Sequence, residues 1–230
     1  MTFRNLTLKQ IVAGLFIAAL LGFMYINSRP IDEVRHNRVI TNLSKLDELD
    51  SQLNEDVIKL RYGLLNNYDP LVATLEQIKR HKRDLEEGDY AIVNRGNPEI
   101  DQAIAAFSRA LTEKEALVDQ FKSHNSLLRN SQYYLPLSVE NVIHSPLAPQ
   151  SLRQSVESLL RDVLLLRARI VGKDDYEYII QKLKPLMEER GKYPAPLRAA
   201  LEKVIQNTQN IVVYRQEVDH LVLEITSAAT

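Results

Sequence analysis

The sequence contains no cysteine and no tryptophan, and it has only seven glycines and nine prolines among its 230 residues. Without cysteine, neither a disulfide framework nor a thiolate metal site can form. The glycines are dispersed, so the chain lacks the glycine-rich loop that cradles phosphate groups. A chain that is poor in glycine and proline and rich in leucine is typical of a helical protein.

The charges of the chain nearly cancel, because 29 Lys and Arg residues face 30 Asp and Glu residues and leave a net charge of −1. No basic excess is available to bind a phosphate backbone, so we expect no nucleic-acid partner. The five histidines are far apart and match no paired metal-ligand spacing. Calcium loops and the Gly-x-Ser-x-Gly motif are also absent. We therefore expect no catalytic residue, no metal site and no cofactor.

One long segment without charge, Gln10–Ser28, lies near the start of the chain. About 20 apolar residues are needed to cross a membrane as a helix, and this segment nearly reaches that length. A cleaved signal peptide is the alternative, with Arg4 and Lys9 as its basic region. However, no small-x-small cleavage pair follows the apolar core. We predict a transmembrane anchor over 10–28, whose orientation the surrounding basic residues leave open.

After the anchor, apolar residues recur at alternating steps of three and four, which is the heptad pattern of helices packed nearly parallel to one another. No strand-like alternation of any length competes with it. We predict an all-α fold with an N-terminal transmembrane helix followed by two stacked helical-bundle modules, roughly 31–136 and 137–226. Pro136 is predicted to end the longest helix, which begins at Pro98. A proline-rich hinge over 141–149 would then join the modules.

The heptad pattern of the third predicted helix turns polar within FKSHNSLLRNSQYYLP, Phe121–Pro136. Asn125 and Gln132 occupy positions where apolar residues are expected, and Lys122 and Arg129 flank them on nearly the same face. These side chains could converge on an anionic or amide-bearing ligand held between helices. Alternatively, the polar residue sets the register of packing and the flanking charges pair with a neighbouring helix. The pattern alone leaves both interpretations open.

A second polar group ends the first predicted helix. Arg61 lies one residue after a heptad position and just before Asn67, Tyr68 and Asp69. Asp69 can cap the next helix, which has Pro70 in its first turn. If the first and third helices are neighbours, this group and the polar stretch of the third helix could meet, but the sequence does not fix the register between the helices.

Two blocks of the sequence carry a family resemblance: RYGLLNNYDPLV at Arg61–Val72 and FKSHNSLLRNSQYYLP at Phe121–Pro136. Together they resemble the DAHL domain, the double all-helical ligand-binding sensor domain of bacterial signalling proteins. The similarity spans most of the chain after the anchor. The matching positions are Arg61, Asn67, Tyr68, Asp69, Pro70, Phe121, Lys122, Asn125, Leu128, Arg129, Asn130, Ser131, Tyr134 and Pro136.

The resemblance implies a sensor domain over 29–230 on the periplasmic side of a bacterial inner membrane, with 1–9 in the cytoplasm. It also implies a second span and an output domain, a histidine kinase or a diguanylate cyclase, beyond Thr230. The chain is then either part of a longer protein or a stand-alone anchored module. We expect a small ligand or a periplasmic protein as partner, together with homodimerisation.

The resemblance itself assigns no ligand role to any residue. Our hypothetical ligand-binding residues are Arg61, Tyr68, Asp69, Lys122, Asn125, Arg129, Asn130 and Tyr134. Two other classes of protein remain as alternatives. One is a membrane-anchored helical scaffold that binds a protein partner, and the other is a cytoplasmic helical protein with an N-terminal anchor.

Overall fold

The computed structural model describes residues 16–24, 33–87, 98–168 and 173–228. Every regular element within these ranges is helical, which confirms the predicted all-α class. The helices are α1 (Glu33–Arg61), α2 (Asp69–Glu87), α3 (Pro98–Ile143), α4 (Gln150–Ala168), α5 (Lys173–Glu189) and α6 (Ala195–Ser227), and a 3₁₀-helix at Arg190–Lys192 precedes α6.

The predicted heptad positions form the core of these helices. In α4 and α5 all the heptad positions within the described residues are buried, namely Leu152, Val156, Leu159, Val163, Leu166, Tyr176, Ile179, Leu183 and Leu186. In α3 the buried set includes the polar Lys114 and Asn125. Burial of the apolar face is the main stabilising term for such helices, because intrinsic helix propensity is weak. An exception is Leu43 of α1, which is 51% exposed and lies in a surface groove instead of the core.

The prediction that Pro136 ends the third helix is wrong, because α3 continues through this residue to Ile143. Pro136 removes one backbone hydrogen bond, the one to the Gln132 carbonyl. The buried neighbours Leu135 and Val139 pack into the core on either side, and this packing holds the helix together. The predicted module boundary at 136/137 therefore lies inside α3, and the division into modules stays a prediction.

The fold is organised around α3 and α6, which pack against each other antiparallel. At one end Lys114 Nζ donates a hydrogen bond to the Ala228 carbonyl oxygen (3.1 Å). Farther along, Asn207 Nδ2 donates to Ser138 Oγ (3.1 Å). The hairpin of α1 and α2 packs beside the part of the α3–α6 pair that contains Lys114. The α4–α5 pair packs beside the part of α3 and α6 that contains Ser138 and Asn207. Both the α1–α2 hairpin and the α4–α5 pair therefore contact the same two long helices, α3 and α6.

Part of the predicted anchor is described, and the remainder of 10–28 lies outside the described residues. Residues 16–24 are helical, and their large apolar side chains are exposed. Across the described ranges, no helix combines the length and the apolarity that a membrane crossing requires. The sequence also predicts that the first long helix starts at Arg29-Pro30 and that 88–97 form a loop, and both segments lie outside the described residues.

Candidate functional site

A polar cavity of about 190 Å³ lies where the end of α1 meets the middle of α3 and the second half of α6. Its walls combine three guanidinium groups, three side-chain amides and a short stretch of turn backbone. They are formed by Leu60, Arg61, Tyr62, Gly63, Asn66, Asn125, Leu128, Arg129, Gln132 and Arg215.

The turn that follows α1 forms one wall of the cavity. The Leu64 amide donates to the Lys59 carbonyl (2.8 Å) and the Gly63 amide donates to the Leu60 carbonyl (3.2 Å), which is the Schellman pattern of a helix C-terminus. Gly63 has a φ of +72°, a conformation that favours glycine. The turn directs the chain away from the axis of α1 immediately after Arg61.

Arg61 ties α1 to α6 through a buried ion pair. Its side chain is 6% exposed, and its Nε donates a hydrogen bond to Asp219 Oδ1. The second oxygen of the same carboxylate lies 3.5 Å from Nε of Arg215, one turn earlier on α6. Two buried guanidinium groups therefore share one carboxylate, so the cluster keeps a net positive charge.

The environment of this cluster shifts the pKa values of two groups. Burial lowers the pKa of the Arg215 guanidinium, and the positive charge of Arg61 lowers it further, against the opposing influence of Asp219 and Tyr176. Burial raises the pKa of the Tyr176 phenol, and the negative charge of Asp219 adds to that increase. Tyr176 lies in the first turn of α5, so a third helix interacts with the Arg215–Asp219 pair.

Asn125 is held in place by the segment between α1 and α2. Its Nδ2 donates to the hydroxyl oxygen of Tyr68 (3.1 Å), and that hydroxyl also lies 3.0 Å from Ser126 Oγ. The side chain of Asn125 is 1% exposed, so its amide is one of the few polar groups in the apolar core. Tyr68 therefore contacts the polar stretch of α3, which the sequence left open.

Arg129 supplies the third guanidinium of the cavity. Its Nη1 donates a long hydrogen bond to the Leu65 carbonyl (3.4 Å), and its side chain remains partly exposed. The predicted set therefore contributes Arg61, Asn125 and Arg129 directly to the cavity walls, while Tyr68 stands behind Asn125.

The other four predicted residues do not line the cavity. Lys122 forms an ion pair with Asp119 one turn earlier on α3 (3.0 Å). Asn130 and Tyr134 are exposed on α3, and Tyr134 makes an edge-to-face contact with Tyr133 (5.1 Å between centroids). Asp69 is exposed at the start of α2.

Arg215 is a cavity residue that sequence reasoning missed, although α6 carries a signal for it. Its heptad runs Val204, Thr208, Ile211, Arg215 and Val218, so a cation and a hydroxyl occupy two apolar positions. Both side chains are buried in the structure. Polar residues interrupt the heptad pattern of α6 as they interrupt that of α3. Asn125 of α3 and Arg215 of α6 occupy such positions, and both line the same cavity.

A second concavity is apolar and lies between α1, α2 and the start of α3. It has a volume of about 420 Å³ and includes Leu43, Ile78, Leu85, Ile104 and Phe107, with acidic residues at its margin. Across the described ranges, no three potential metal ligands from His, Cys, Asp and Glu come together. We take the polar cavity as the candidate site because it has the convergent guanidinium and amide groups that fix the orientation of a small polar ligand.

Comparison with protein-family models matches residues 31–230 to the DAHL domain. The match covers α1 to α6 and therefore includes every residue of the polar cavity. Comparisons with curated proteins and with solved structures give no match.

Proposed function

The chain belongs to the DAHL domain family, and on that premise we propose that it senses a ligand outside the cytoplasm for a bacterial membrane signal-transduction protein. DAHL domains are helical sensor-type domains. The finer proposal is that this chain is the sensor part of a histidine kinase. The observation that supports ligand sensing is the arginine-lined cavity between the first and last long helices.

The cavity has the features expected of a binding site for a small polar molecule. It is concave, and several polar side chains from three helical regions converge on it. Arg61 belongs to α1 and Arg215 to α6, so a ligand that contacts both guanidinium groups bridges the two helices. Binding would then favour one arrangement of α6 relative to α1, provided the ligand has a higher affinity for that arrangement.

We propose that residues 10–28 anchor the chain in the inner membrane, with 1–9 in the cytoplasm and 29–230 in the periplasm. The uncharged length of this segment and the exposed apolar side chains of 16–24 support the proposal. A reporter protein fused after Thr230 tests it. An enzyme that is active only in the periplasm is expected to be active in the fusion, and activity of a cytoplasm-only reporter would overturn the orientation.

As a sensor, the chain acts together with an output domain, a ligand and a second copy of itself. We propose that the chain has no catalytic residue of its own and that an output domain acts on its signal. The ligand is a small molecule, and the functional unit is a homodimer, as the two-helix mode of signalling favours. Sedimentation of the detergent-solubilised chain, with a monomeric mass as the contrary result, tests the dimer.

The ligand proposal is tested by a thermal-shift screen of the full 230-residue chain against small anions, amino acids and short peptides. A ligand at a hundredfold excess over its Kd stabilises the folded state by about 2.7 kcal/mol, which raises the Tm of a domain of this size by about 5–10 °C. The shift is expected to disappear in Asn125→Leu and to persist in Lys122→Gln, because Lys122 does not line the cavity. A shift that survives Asn125→Leu would place binding elsewhere.

The helix movement can be measured directly because the chain has no cysteine of its own. Spin labels at Ser51→Cys on α1 and Gln216→Cys on α6, both exposed, report the distance between these helices. A hit from the screen is expected to change this distance. A control pair at Ser51→Cys and Gln120→Cys, on α1 and α3, is expected to change less. An unchanged α1–α6 distance with bound ligand would overturn the helix-shift mechanism.

A protein-binding scaffold is the second candidate function, and the apolar groove between α1, α2 and α3 favours it. The exposed Leu43 in this groove fits a partner that contributes apolar side chains. The two functions make different predictions for the same variants. Leu43→Asp is expected to weaken partner binding by a scaffold and to leave ligand-induced thermal shifts unchanged. Asn125→Leu is expected to abolish the ligand-induced thermal shift and to leave partner binding unchanged.

A further inference from the structure

The three arginines of the polar cavity have too few acidic partners. Arg61 and Arg215 share Asp219, and no acidic side chain of the described residues lines the cavity itself. With Arg129 included, three positive charges face one negative charge, so the site has a formal excess of two positive charges. Asp219 is also 42% exposed, so water weakens its share of the compensation.

Arg215 gives a second and independent sign of a missing acceptor. Its side chain is 7% exposed, and its Nε makes no hydrogen bond with any described residue, although Asp219 lies 3.5 Å away. Buried polar groups are almost always hydrogen-bonded in folded proteins, because an unpaired one is costly. The lowered pKa of this guanidinium is consistent with a charge that burial leaves poorly compensated.

The positive charges occur as a linked pair and a separate single group. Asp219 holds Arg61 and Arg215 together, whereas Arg129 is attached to the Leu65 carbonyl. A compact anion such as phosphate suits the linked pair and offers no second charged group for Arg129. Two carboxylates on a short chain can pair with the two groups separately, and a carboxylate matches the planar fork of a guanidinium.

The size of the cavity restricts the ligand further. A volume of about 190 Å³ is somewhat larger than a cavity of about 150 Å³ that holds one benzene molecule. That space suits a molecule of a few carbon atoms better than a whole peptide or nucleotide. The amides of Asn125, Asn66 and Gln132 add hydrogen-bonding groups that a carboxylate-bearing chain can use.

We propose that the cavity binds a small dicarboxylate, with one carboxylate on Arg61 and Arg215 and the other on Arg129. This inference rests on the proposed sensor function and specifies its ligand. Asp219 acts as a positioning residue, since it holds the two buried guanidinium groups together from outside the cavity. The side-chain amides then complete the hydrogen bonding of the bound anion.

Calorimetric titration of the full 230-residue chain with malonate, succinate and glutarate tests the proposal. The best of these is then compared with its monoamide and its diamide, which keep the size and change the charge from −2 to −1 and 0. Affinity is expected to fall at least tenfold at each step, as the loss of a charge-assisted pair predicts. Inorganic phosphate is expected to bind at least tenfold more weakly than the best dicarboxylate.

Arg129→Gln is the variant of choice because Arg129 is the least buried of the three arginines and its replacement leaves the Arg61–Asp219 pair intact. It is expected to weaken dicarboxylate binding at least tenfold and to bring the dicarboxylate and its monoamide to similar affinities. Lys122→Gln, which removes a charge outside the cavity, is the matched control and is expected to leave the affinity unchanged.

Failure of this inference can be told apart from failure of the sensor function. No binding of the three dicarboxylates, equal affinity for the diamide, or phosphate binding as tight as the dicarboxylate each overturns the dicarboxylate assignment. The sensor function still stands if another small molecule binds and Asn125→Leu abolishes that binding. It falls if the thermal-shift screen finds no small molecule that binds the chain.

Discussion

Nζ of Lys114 lies 2.6 Å from Oδ1 of Asp50 and joins α3 to α1 inside the core. The Lys114 side chain has no exposed surface, whereas that of Asp50 is 20% exposed. The same ammonium donates to the Ala228 carbonyl at the end of α6 (3.1 Å). A cation at a helix C-terminus also interacts favourably with the helix dipole. One buried lysine therefore connects the three longest helices.

Removing the carboxylate of this pair is expected to destabilise the fold more than removing the lysine. Asp50→Asn leaves the buried ammonium of Lys114 without its counter-charge, for which we expect a loss of about 3–5 kcal/mol in the free energy of unfolding. Lys114→Met removes the buried charge and leaves a carboxylate that water can reach, so a smaller loss is expected. Urea denaturation measures both values.

The control for this experiment is Glu48→Gln, which breaks the exposed pair of Lys45 and Glu48 on the same helix. We expect a change below about 0.5 kcal/mol, since exposed ion pairs contribute little. A larger loss for Lys114→Met than for Asp50→Asn would show that the hydrogen bonds of the ammonium to Asp50 and Ala228 stabilise the fold more than the unpaired charge destabilises it.

The second prediction separates the two interpretations of Asn125. Tyr68→Phe removes the acceptor of the Asn125 amide and leaves this amide buried without a partner, so we expect a loss of about 1–3 kcal/mol. Asn125→Leu removes the polar group itself, while the Tyr68 hydroxyl keeps Ser126 Oγ as its partner. We expect it to change the free energy of unfolding by less than about 1 kcal/mol.

Thermal denaturation together with ligand titration completes this test. Asn125→Leu is expected to preserve stability and to abolish ligand binding. If Asn125→Leu instead changes the oligomeric state or the packing of α3, the residue sets the register of the helices and the ligand interpretation loses its support.

The third prediction concerns the proline inside α3. Pro136→Ala restores the backbone hydrogen bond to the Gln132 carbonyl and removes a steric conflict within the helix, so we expect an increase of about 1–3 kcal/mol in stability. Pro98→Ala is the control, because proline is well tolerated in a first turn and little change is expected there. A destabilised Pro136→Ala would mean that the proline shapes α3 for its packing against α6.

The fourth prediction concerns the turn that forms one wall of the cavity. Gly63→Ala forces a residue with a Cβ atom into a positive-φ conformation, for which we expect a loss of about 1 kcal/mol in stability. Gly191→Ala is the matched control: Gly191 is also free of neighbours within 4 Å but has no positive φ, so little loss is expected. Equal losses in chemical denaturation would contradict the conformational explanation.

The heptad pattern predicted the helical class and much of the core, because burial of a regular apolar stripe is a local property of the sequence. It failed at Pro136, where a local rule against proline competes with packing on both sides of the residue. It also gave no warning that Leu43 would be exposed. A heptad position predicts burial only where a neighbouring helix is present to cover it.

The sequence predicted only part of the candidate site, because a local pattern does not show which neighbour a polar side chain faces. Arg61, Asn125 and Arg129 could be selected because each interrupts or flanks an apolar pattern. Lys122 flanks that pattern as well, yet it pairs with Asp119 outside the cavity. Nothing local distinguishes a flanking charge that faces another helix from one that faces solvent.

By itself, the sequence determined that this protein is a set of long amphipathic helices with polar residues at a few core positions, and two of its blocks identified the family. Only the tertiary structure decided which of these polar residues meet. Arg61 and Asp219 are separated by 158 residues, and their contact depends on the register between α1 and α6. That register is set by the packing of all the helices together, and no single segment encodes it.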